Sequence, residues 1–358
     1  MPRDHYLFSN GRLRRRQNTL WFERATGDRI PADDPDDTGA PSGSLVGEKA
    51  VLPVEAVDAL HLFGEVDLNS KLVVFLAQQR VPVHVYDYYG NYAATLYPRE
   101  YLLSGRLTVA QADHYLRPTK RLALARAFVG ASLFNVRRTL LYHEKRAGDA
   151  GPIRDALAAV EREAARVPDE PAVPELMAAE GRARDAYYRA WPAVLGPATA
   201  AAFPYDGRTR RPPQNALNAA ISFGNALCYA VCLKALYRTA LDPTVSFLHE
   251  PGDRRYSLAL DLAEVFKPLL VDRAIFRLLK TGRLRPKHFE PRLGGTYLTD
   301  AGRRRFVEAW DERLRRTVKH RGLGRHVSYE RLVRLDAYRL VRHLTDPGDP
   351  YVGFRAWW

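Results

Sequence analysis

The chain has 358 residues and a formal charge of +14. That length points to two domains, and that charge points to a polyanionic partner, nucleic acid before a membrane surface. At 46% hydrophobic and 27% charged it is globular, not disordered, and its two cysteines, Cys228 and Cys232, exclude a disulfide framework and a four-thiolate zinc site.

Along the chain, the opening MPRDHYLFSNGRLRRR lacks the apolar core of a secretory signal. Residues 18–23 and 51–54 read as strands, 55–60 as a helix-like stretch and 70–80 as a helix, from apolar Leu72, Val73, Phe75 and Leu76. Residues 81–87 alternate as a strand, Gly90-Asn91 turns, and 92–96 returns, a hairpin pattern. Between them, residues 26–47 read as a mobile loop with an acidic run at 33–37, which Pro35 spoils as a calcium loop. From about residue 108 the period becomes helical, over 122–142, 153–166, 173–189, 214–237, 258–277 and 299–319. The longest apolar run, 219–233, is broken by Asn225 and falls short of the roughly 20 residues of a membrane span. The expectation is an α+β protein of the cytoplasm with no membrane partner. It has a β-rich N-terminal domain over 1–100, a linker over 101–107 and an all-α domain over 108–358.

The charge is uneven across that division. Residues 1–100 hold 11 Lys/Arg against 14 Asp/Glu, and the remainder 44 against 27. The second part is therefore the one expected to meet phosphates.

Several chemistries are missing. Cys228 and Cys232 share one face of an apolar helix and read as core packing. The stretch after His249 lacks the second histidine of a zinc-protease helix. Gly322-Leu-Gly324 lacks the third glycine of a dinucleotide loop. No Walker loop and no Gly-x-Ser-x-Gly elbow is present.

Three stretches stand out. Glu180 sits in an Ala-rich helix before Arg182 and Arg184; alone it reads as a surface residue. His249 ends the apolar run Val245-Ser-Phe-Leu beside a Pro-Gly turn; alone it reads as a hydrogen-bonded structural histidine. Asp261 and Glu264 lie three apart, on one helix face among Leu260, Leu262, Val265 and Phe266. Acids in an apolar helix need a reason, and a cation is a common one. Carboxylates with one imidazole suit magnesium or manganese acting on phosphates.

Read in order, these pieces resemble a known family, the CRISPR-associated endonuclease and integrase of the spacer-acquisition module, the first-numbered Cas protein. The likeness runs through Leu62-Phe-Gly-Glu-Val-Asp-Leu-Asn-Ser-Lys71, Val81-Pro-Val-His84, Tyr88-Tyr-Gly-Asn-Tyr92 and Tyr97-Pro-Arg-Glu100. It continues through Glu180-Gly-x-Ala-Arg184, Arg211-Pro-Pro-x-Asn-x-x-Asn218, Ser222-Phe-Gly224, Leu248-His249 and the helix from Leu260 to Pro268. The resemblance implies a sandwich-like N-terminal domain and a helical catalytic domain. It implies that Glu180, His249 and Glu264 hold Mg2+ or Mn2+, with Asp261 behind them or as an alternate ligand. Lys267 departs from the arginine of many members. It implies a homodimer, assembling with a small ferredoxin-like second adaptation protein around DNA with free 3′ ends, whose hydroxyls attack at a CRISPR repeat. Imidazole ligands must be neutral, so activity should fall at acid pH.

Arg208, Arg210 and Arg211 are candidates for holding phosphates, as are the arginines at 303–305 and 313–325, with solvated charge as the plain alternative. Two other functions compete with the integrase: a metal-dependent nuclease on branched or single-stranded DNA that does not integrate it, and a non-catalytic DNA-binding scaffold. Surface pairing of acids, which the scaffold needs, sits poorly with the apolar setting of Asp261 and Glu264.

Overall fold

The computed structural model describes residues 2–25, 49–99, 102–252, 256–292, 294–346 and 348–357. The expected acidic loop at 26–47 lies outside them. Two compact units divide the chain, Met1–Tyr101 and Leu102–Trp358.

The first unit is strand-rich. Its elements are β1 (Arg3–Leu7), β2 (Gly11–Arg16), β3 (Thr19–Arg24), β4 (Lys49–Pro53), β5 (Val57–Leu62), β6 (Val66–Asp67), α1 (Ser70–Gln78), β7 (Val83–Tyr86) and β8 (Tyr92–Leu96). One sheet runs β1-β5-β7-β8, with parallel pairs up to β7 and an antiparallel edge at β8. The other runs β4-β3-β2-β6. Leu13, Leu20 and Phe22 from one sheet, Val57, Leu60 and Val83 from the other, and Leu72, Phe75 and Leu76 from α1 form a single core. Asn69 starts α1 by accepting from the Leu72 N–H at 2.9 Å.

The helix-like reading of 55–60 is corrected. A 3₁₀ turn at Val54–Ala56 leads into β5. Strand β5 lies between two parallel neighbours, and Ala59, Leu60, His61 and Leu62 are all buried. A strand covered on both faces shows no alternation to read.

The second unit is mostly helical. It contains α2 (Gly105–Leu116), α3 (Pro118–Glu144), α4 (Gly151–Arg166), α5 (Val173–Arg189), α6 (Trp191–Leu195), α7 (Pro197–Ala202), α8 (Ala216–Tyr237), α9 (Ser257–Lys267) and α10 (Arg273–Lys280). It continues with β9 (Phe289–Arg292), β10 (Gly295–Leu298), α11 (Asp300–Arg315), β11 (Thr317–Lys319), β12 (His326–Ser328) and α12 (Tyr329–Thr345). Helix α2 begins inside the expected 101–107 linker, because Ser104 caps it on the Leu107 N–H. Helix α8 is apolar and long enough to cross a membrane by composition, but 72% of that stretch is buried in the protein. It is a core helix, packed by α9, α12 and β10.

Three expectations change here. The helix over 258–277 is two helices joined by a π-helical turn, Pro268–Asp272. Pro268 has no N–H to continue the ladder. The helix over 299–319 stops at Arg315, and Thr317–Lys319 pairs with β12 instead. The unit is therefore not all-α: β9 with β10 and β11 with β12 make two short ribbons. Helix α12 was not anticipated, although Leu332, Val333, Ala337, Leu340 and Leu344 carry its buried face.

Candidate active site

Two helices bring the acids together over a third. Helices α5 and α9 both pack on α3. Asn135 of α3 pins α9 by donating to the Val265 carbonyl at 2.9 Å. Nearby on α3, Ser132 accepts from the Arg184 guanidinium at 3.0 Å.

Arg184 is the hub. Its Nε donates to Glu180 Oε1 at 2.7 Å, one helical turn back on α5. Its Nη2 donates to Glu264 Oε2 at 3.0 Å and to the Glu264 carbonyl at 3.1 Å. Lys267, one turn on from Glu264, donates to Glu264 Oε1. Burial alone would raise the Glu264 carboxyl, but Lys267 and Arg184 outweigh it, with help from His249, and hold it at about 2. Burial also works against the Arg184 charge, and Glu180 and Glu264 overcome it, so the guanidinium stays above its ordinary range.

His249 is built from the other side. It sits in the loop between α8 and α9, and Asp261 of α9 organises that loop. Asp261 is fully buried. Its Oδ2 accepts from the Phe247 and Leu248 N–H groups at 2.7 and 2.9 Å. Its Oδ1 accepts from the His249 N–H at 2.9 Å and pairs with His249 Nδ1 at 2.8 Å. With Nδ1–H aimed at a carboxylate, Nε2 carries the imidazole lone pair. Arg121 secures the loop by donating to the Phe247 carbonyl at 3.0 Å and pairing with Glu250 at 2.6 Å.

The structure thus joins Glu180 and Glu264 through Arg184, and fixes His249 through Asp261. Among the described residues the three expected ligands do not converge on one point, since both carboxylates turn onto the guanidinium. The donor set still fits a small divalent cation. It offers two carboxylates, one held ionised, and an imidazole oriented by a carboxylate behind it, the arrangement metal-ligating histidines use.

Asp272 is a neighbour that the sequence did not single out. Burial pushes its carboxyl up to about 7 against the pull of Arg184, and the Tyr187 hydroxyl donates to it at 3.0 Å. Arg184 was legible as the residue four after Glu180, and Lys267 as the one three after Glu264. Asp272 carried no such signal.

The basic candidates separate by exposure. Arg208 is tied down, donating to Asn218 Oδ1 at 3.0 Å and Ser222 Oγ at 3.2 Å. Arg210 and Arg211 are exposed, as are Arg304 and Arg305. Arg303 and Arg313 are buried. Arg313 donates to the Leu269 carbonyl at 2.9 Å and stacks 4.1 Å from the Tyr329 ring centre.

Residues 5–312 match the model of a protein family described as CRISPR associated protein Cas1. The chain belongs to that family, the one its motifs resemble. The CRISPR-associated endonuclease Cas1 2 of Moorella thermoacetica is 44% identical over 356 residues, covering 99% of this chain and 100% of that protein. The CRISPR-associated endonuclease Cas1 of Pyrococcus horikoshii is 39% identical over 351 residues, 98% of each chain. Among solved structures, a Cas1 protein from Thermotoga maritima superposes with a TM-score of 0.81 at 35% identity, over 99% of this chain and 100% of that one. A casposase bound to integration product shares the fold at a TM-score of 0.76 and 22% identity, over 96% of this chain and 91% of that one.

Proposed function

We propose that this chain is a divalent-metal-dependent DNA endonuclease and integrase of CRISPR spacer acquisition. Its relatives in the family are named as endonucleases. The observation that carries the reading is the pairing of Asp261 with His249 beside an ionised Glu264, with Glu180 on the same arginine. Two carboxylates with one oriented imidazole support a Mg2+ or Mn2+ site acting on phosphates.

Glu180, His249 and Glu264 would hold the ion. When bound, it polarises a phosphoryl oxygen and eases deprotonation of the attacking hydroxyl. The residues of the chain prepare that state. Asp261 presents the imidazole in one tautomer and one orientation. Lys267 and Arg184 keep Glu264 charged before any cation arrives. A DNA 3′-oxygen then bonds to phosphorus at the edge of a repeat, the bond to the target strand's own 3′-oxygen breaks, and the departing oxygen takes a proton. Water in place of the 3′-hydroxyl nicks DNA at the same residues. The exposed basic side chains of the second unit would hold phosphates, which makes binding steeply salt-dependent. A homodimer, working in the cytoplasm with a small ferredoxin-like second adaptation protein, completes the proposal.

The test is labelled branched DNA with Mn2+, Mg2+ or EDTA, wild type beside Glu264→Ala. Joined strands with either metal, lost in EDTA and in the variant, support the reading. Cleavage without joining moves the function to a nuclease that does not integrate. Binding without chemistry leaves a scaffold. Equal activity of wild type and variant removes the site.

A further inference from the structure

A cavity of about 760 Å³ opens in the second unit where the end of α3, α10, the end of α11 and the starts of β11 and α12 meet. None of Glu180, His249 and Glu264 lines it. Its walls carry Arg146, Arg273, Arg277, Lys280, Arg313 and Arg316 against one carboxylate, Glu312. That carboxylate is already engaged, by Arg277 at 3.1 Å and Arg283 at 3.2 Å. Among the described residues, the other five wall cations have no acidic partner.

Three buried nitrogens of the lining residues are also unspent. Arg273 Nε, Arg313 Nη2 and His143 Nδ1 are buried without a hydrogen-bond partner. His143 and Arg313 are themselves only 6% and 9% exposed. Aromatic rings hold the guanidinium planes in place: Arg146 and Arg273 lie 3.9 and 5.0 Å from the Tyr142 ring centre, and Arg313 lies on Tyr329. Burial first, and then Arg273 and Arg316, push the Arg313 guanidinium down to about 10, against the pull of Tyr329. Burial, then Lys280, Arg273 and Arg146, push the His143 imidazole down to about 3, so it stays neutral. Cations gathered without counter-charge repel one another, and an anion relieves that repulsion.

We propose that this cavity binds a small molecule carrying two or three consecutive phosphates, a nucleoside di- or triphosphate. Five unpaired cations match a polyphosphate better than a single phosphate. Fixed guanidinium planes suit bidentate contact with phosphate oxygens. The volume falls within the roughly 300–1,000 Å³ of small-molecule sites and exceeds what the phosphates alone fill. Phe276, Ala309 and Val318 supply apolar wall for a sugar and base. The site is separate from the proposed chemistry and stands without it.

Isothermal titration calorimetry on the full chain tests this. EDTA is present so that no ion bridges nucleotide to the carboxylates. The probes are ATP, tripolyphosphate, AMP, adenosine and a short single-stranded oligonucleotide. The expected result is saturable, one-to-one binding of ATP, at least tenfold weaker binding of AMP and none of adenosine. Lys280→Glu and Arg316→Glu, both at exposed positions, should each weaken ATP at least tenfold while the ligand-free unfolding midpoint does not fall. Tripolyphosphate binding as tight as ATP assigns the site to inorganic polyphosphate and overturns the nucleoside. Binding of the oligonucleotide alone overturns the proposal in favour of a strand contact. No saturable phosphate binding, or binding indifferent to both charge reversals, overturns it outright.

Discussion

Asp261 holds both the backbone and the imidazole of His249, at 2.9 Å and 2.8 Å, from a position twelve residues later on α9. One buried carboxylate therefore orders a loop and aims its histidine. Asp261→Asn keeps the shape but leaves one acceptor oxygen where two served four contacts. Hydrogen bonds to a charged group are worth roughly 1.5–3 kcal/mol each, so the variant should lose about 3 kcal/mol of stability. Losing the carboxylate behind a ligating histidine typically costs about 10- to 100-fold in metal affinity. Urea unfolding and Mn2+ titration measure the two losses separately. Unchanged Mn2+ affinity in a folded Asp261→Asn protein counts against His249 as a ligand.

Arg184 stands where a cation is wanted. It neutralises Glu180 and Glu264 with the contacts a divalent ion would compete for. Arg184→Ala leaves two neighbouring carboxylates without their shared partner, and breaking a buried pair costs about 3–5 kcal/mol. The loss should be reversible by metal. We expect millimolar Mn2+ to raise the unfolding temperature of Arg184→Ala by more than it raises that of wild type. Differential scanning fluorimetry with and without EDTA decides this, and an equal or smaller rise in the variant contradicts the site.

Much of this was legible in the sequence, and the failures have physical reasons. Helices α3 and α5 show their period because each packs one face against the core, and α8, buried nearly all round, shows itself by its length and apolar composition. Glu264 was visible as an acid among Val265 and Phe266. Strand β5 was not, because both its faces are covered. The break at Pro268 was not, because Leu269, Leu270 and Val271 of the π-helical turn are as apolar and buried as the helices on either side. The place of His249 was least legible of all. It depends on Asp261 and on Arg121, which lies 126 residues from the carbonyl it holds. Spacing names such a histidine, and only the fold aims it.

Gly224 shows why a resemblance motif contains glycine. A Cβ there would sit 2.5 Å from Val271 Cγ1 and 2.9 Å from Phe306 Cζ. The glycine lets α8 pack against the π-helical turn and α11. Overpacking a core costs about 1–3 kcal/mol, so Gly224→Ala should lower stability by that amount. Val271→Ala, itself destabilising, should cost less in the Gly224→Ala background than in wild type. Denaturant midpoints of the single and double variants test the coupling, and simple additivity rejects it.

Asp336 contributes stability that falls as pH rises, opposite in sign to the buried, neutral His143. Burial pushes this carboxyl up to about 6, against Arg339 and the Tyr351 hydroxyl that donates to it at 3.0 Å. A raised carboxyl binds more protons folded than unfolded. Its contribution is therefore complete below the unfolded value near 4 and lost as pH passes through 6, in total about 3 kcal/mol. Asp336→Asn keeps an acceptor for Tyr351 and cannot ionise. Urea unfolding at pH 4.5 and 7.5 should show Asp336→Asn gaining on wild type as pH rises, and an equal change in the two proteins rejects the assignment.

Arg208 and Arg211 separate structure from phosphate binding. Arg208 is tied to Asn218 and Ser222 on α8, so Arg208→Ala should destabilise the protein by about 1–2 kcal/mol through lost charged hydrogen bonds. Arg210 and Arg211 are exposed, and their replacement should leave stability within about 0.5 kcal/mol. If each meets one DNA phosphate, Arg210→Ala and Arg211→Ala should each reduce the slope of log affinity against log salt by about 0.9 on duplex DNA. Fluorescence anisotropy across a salt series reads that slope. An affinity loss with the slope unchanged would mean that these side chains shape the loop and touch no phosphate. A stability loss at Arg208 with no change in slope would place that residue with the scaffold of α8 and remove it from the phosphate-binding set.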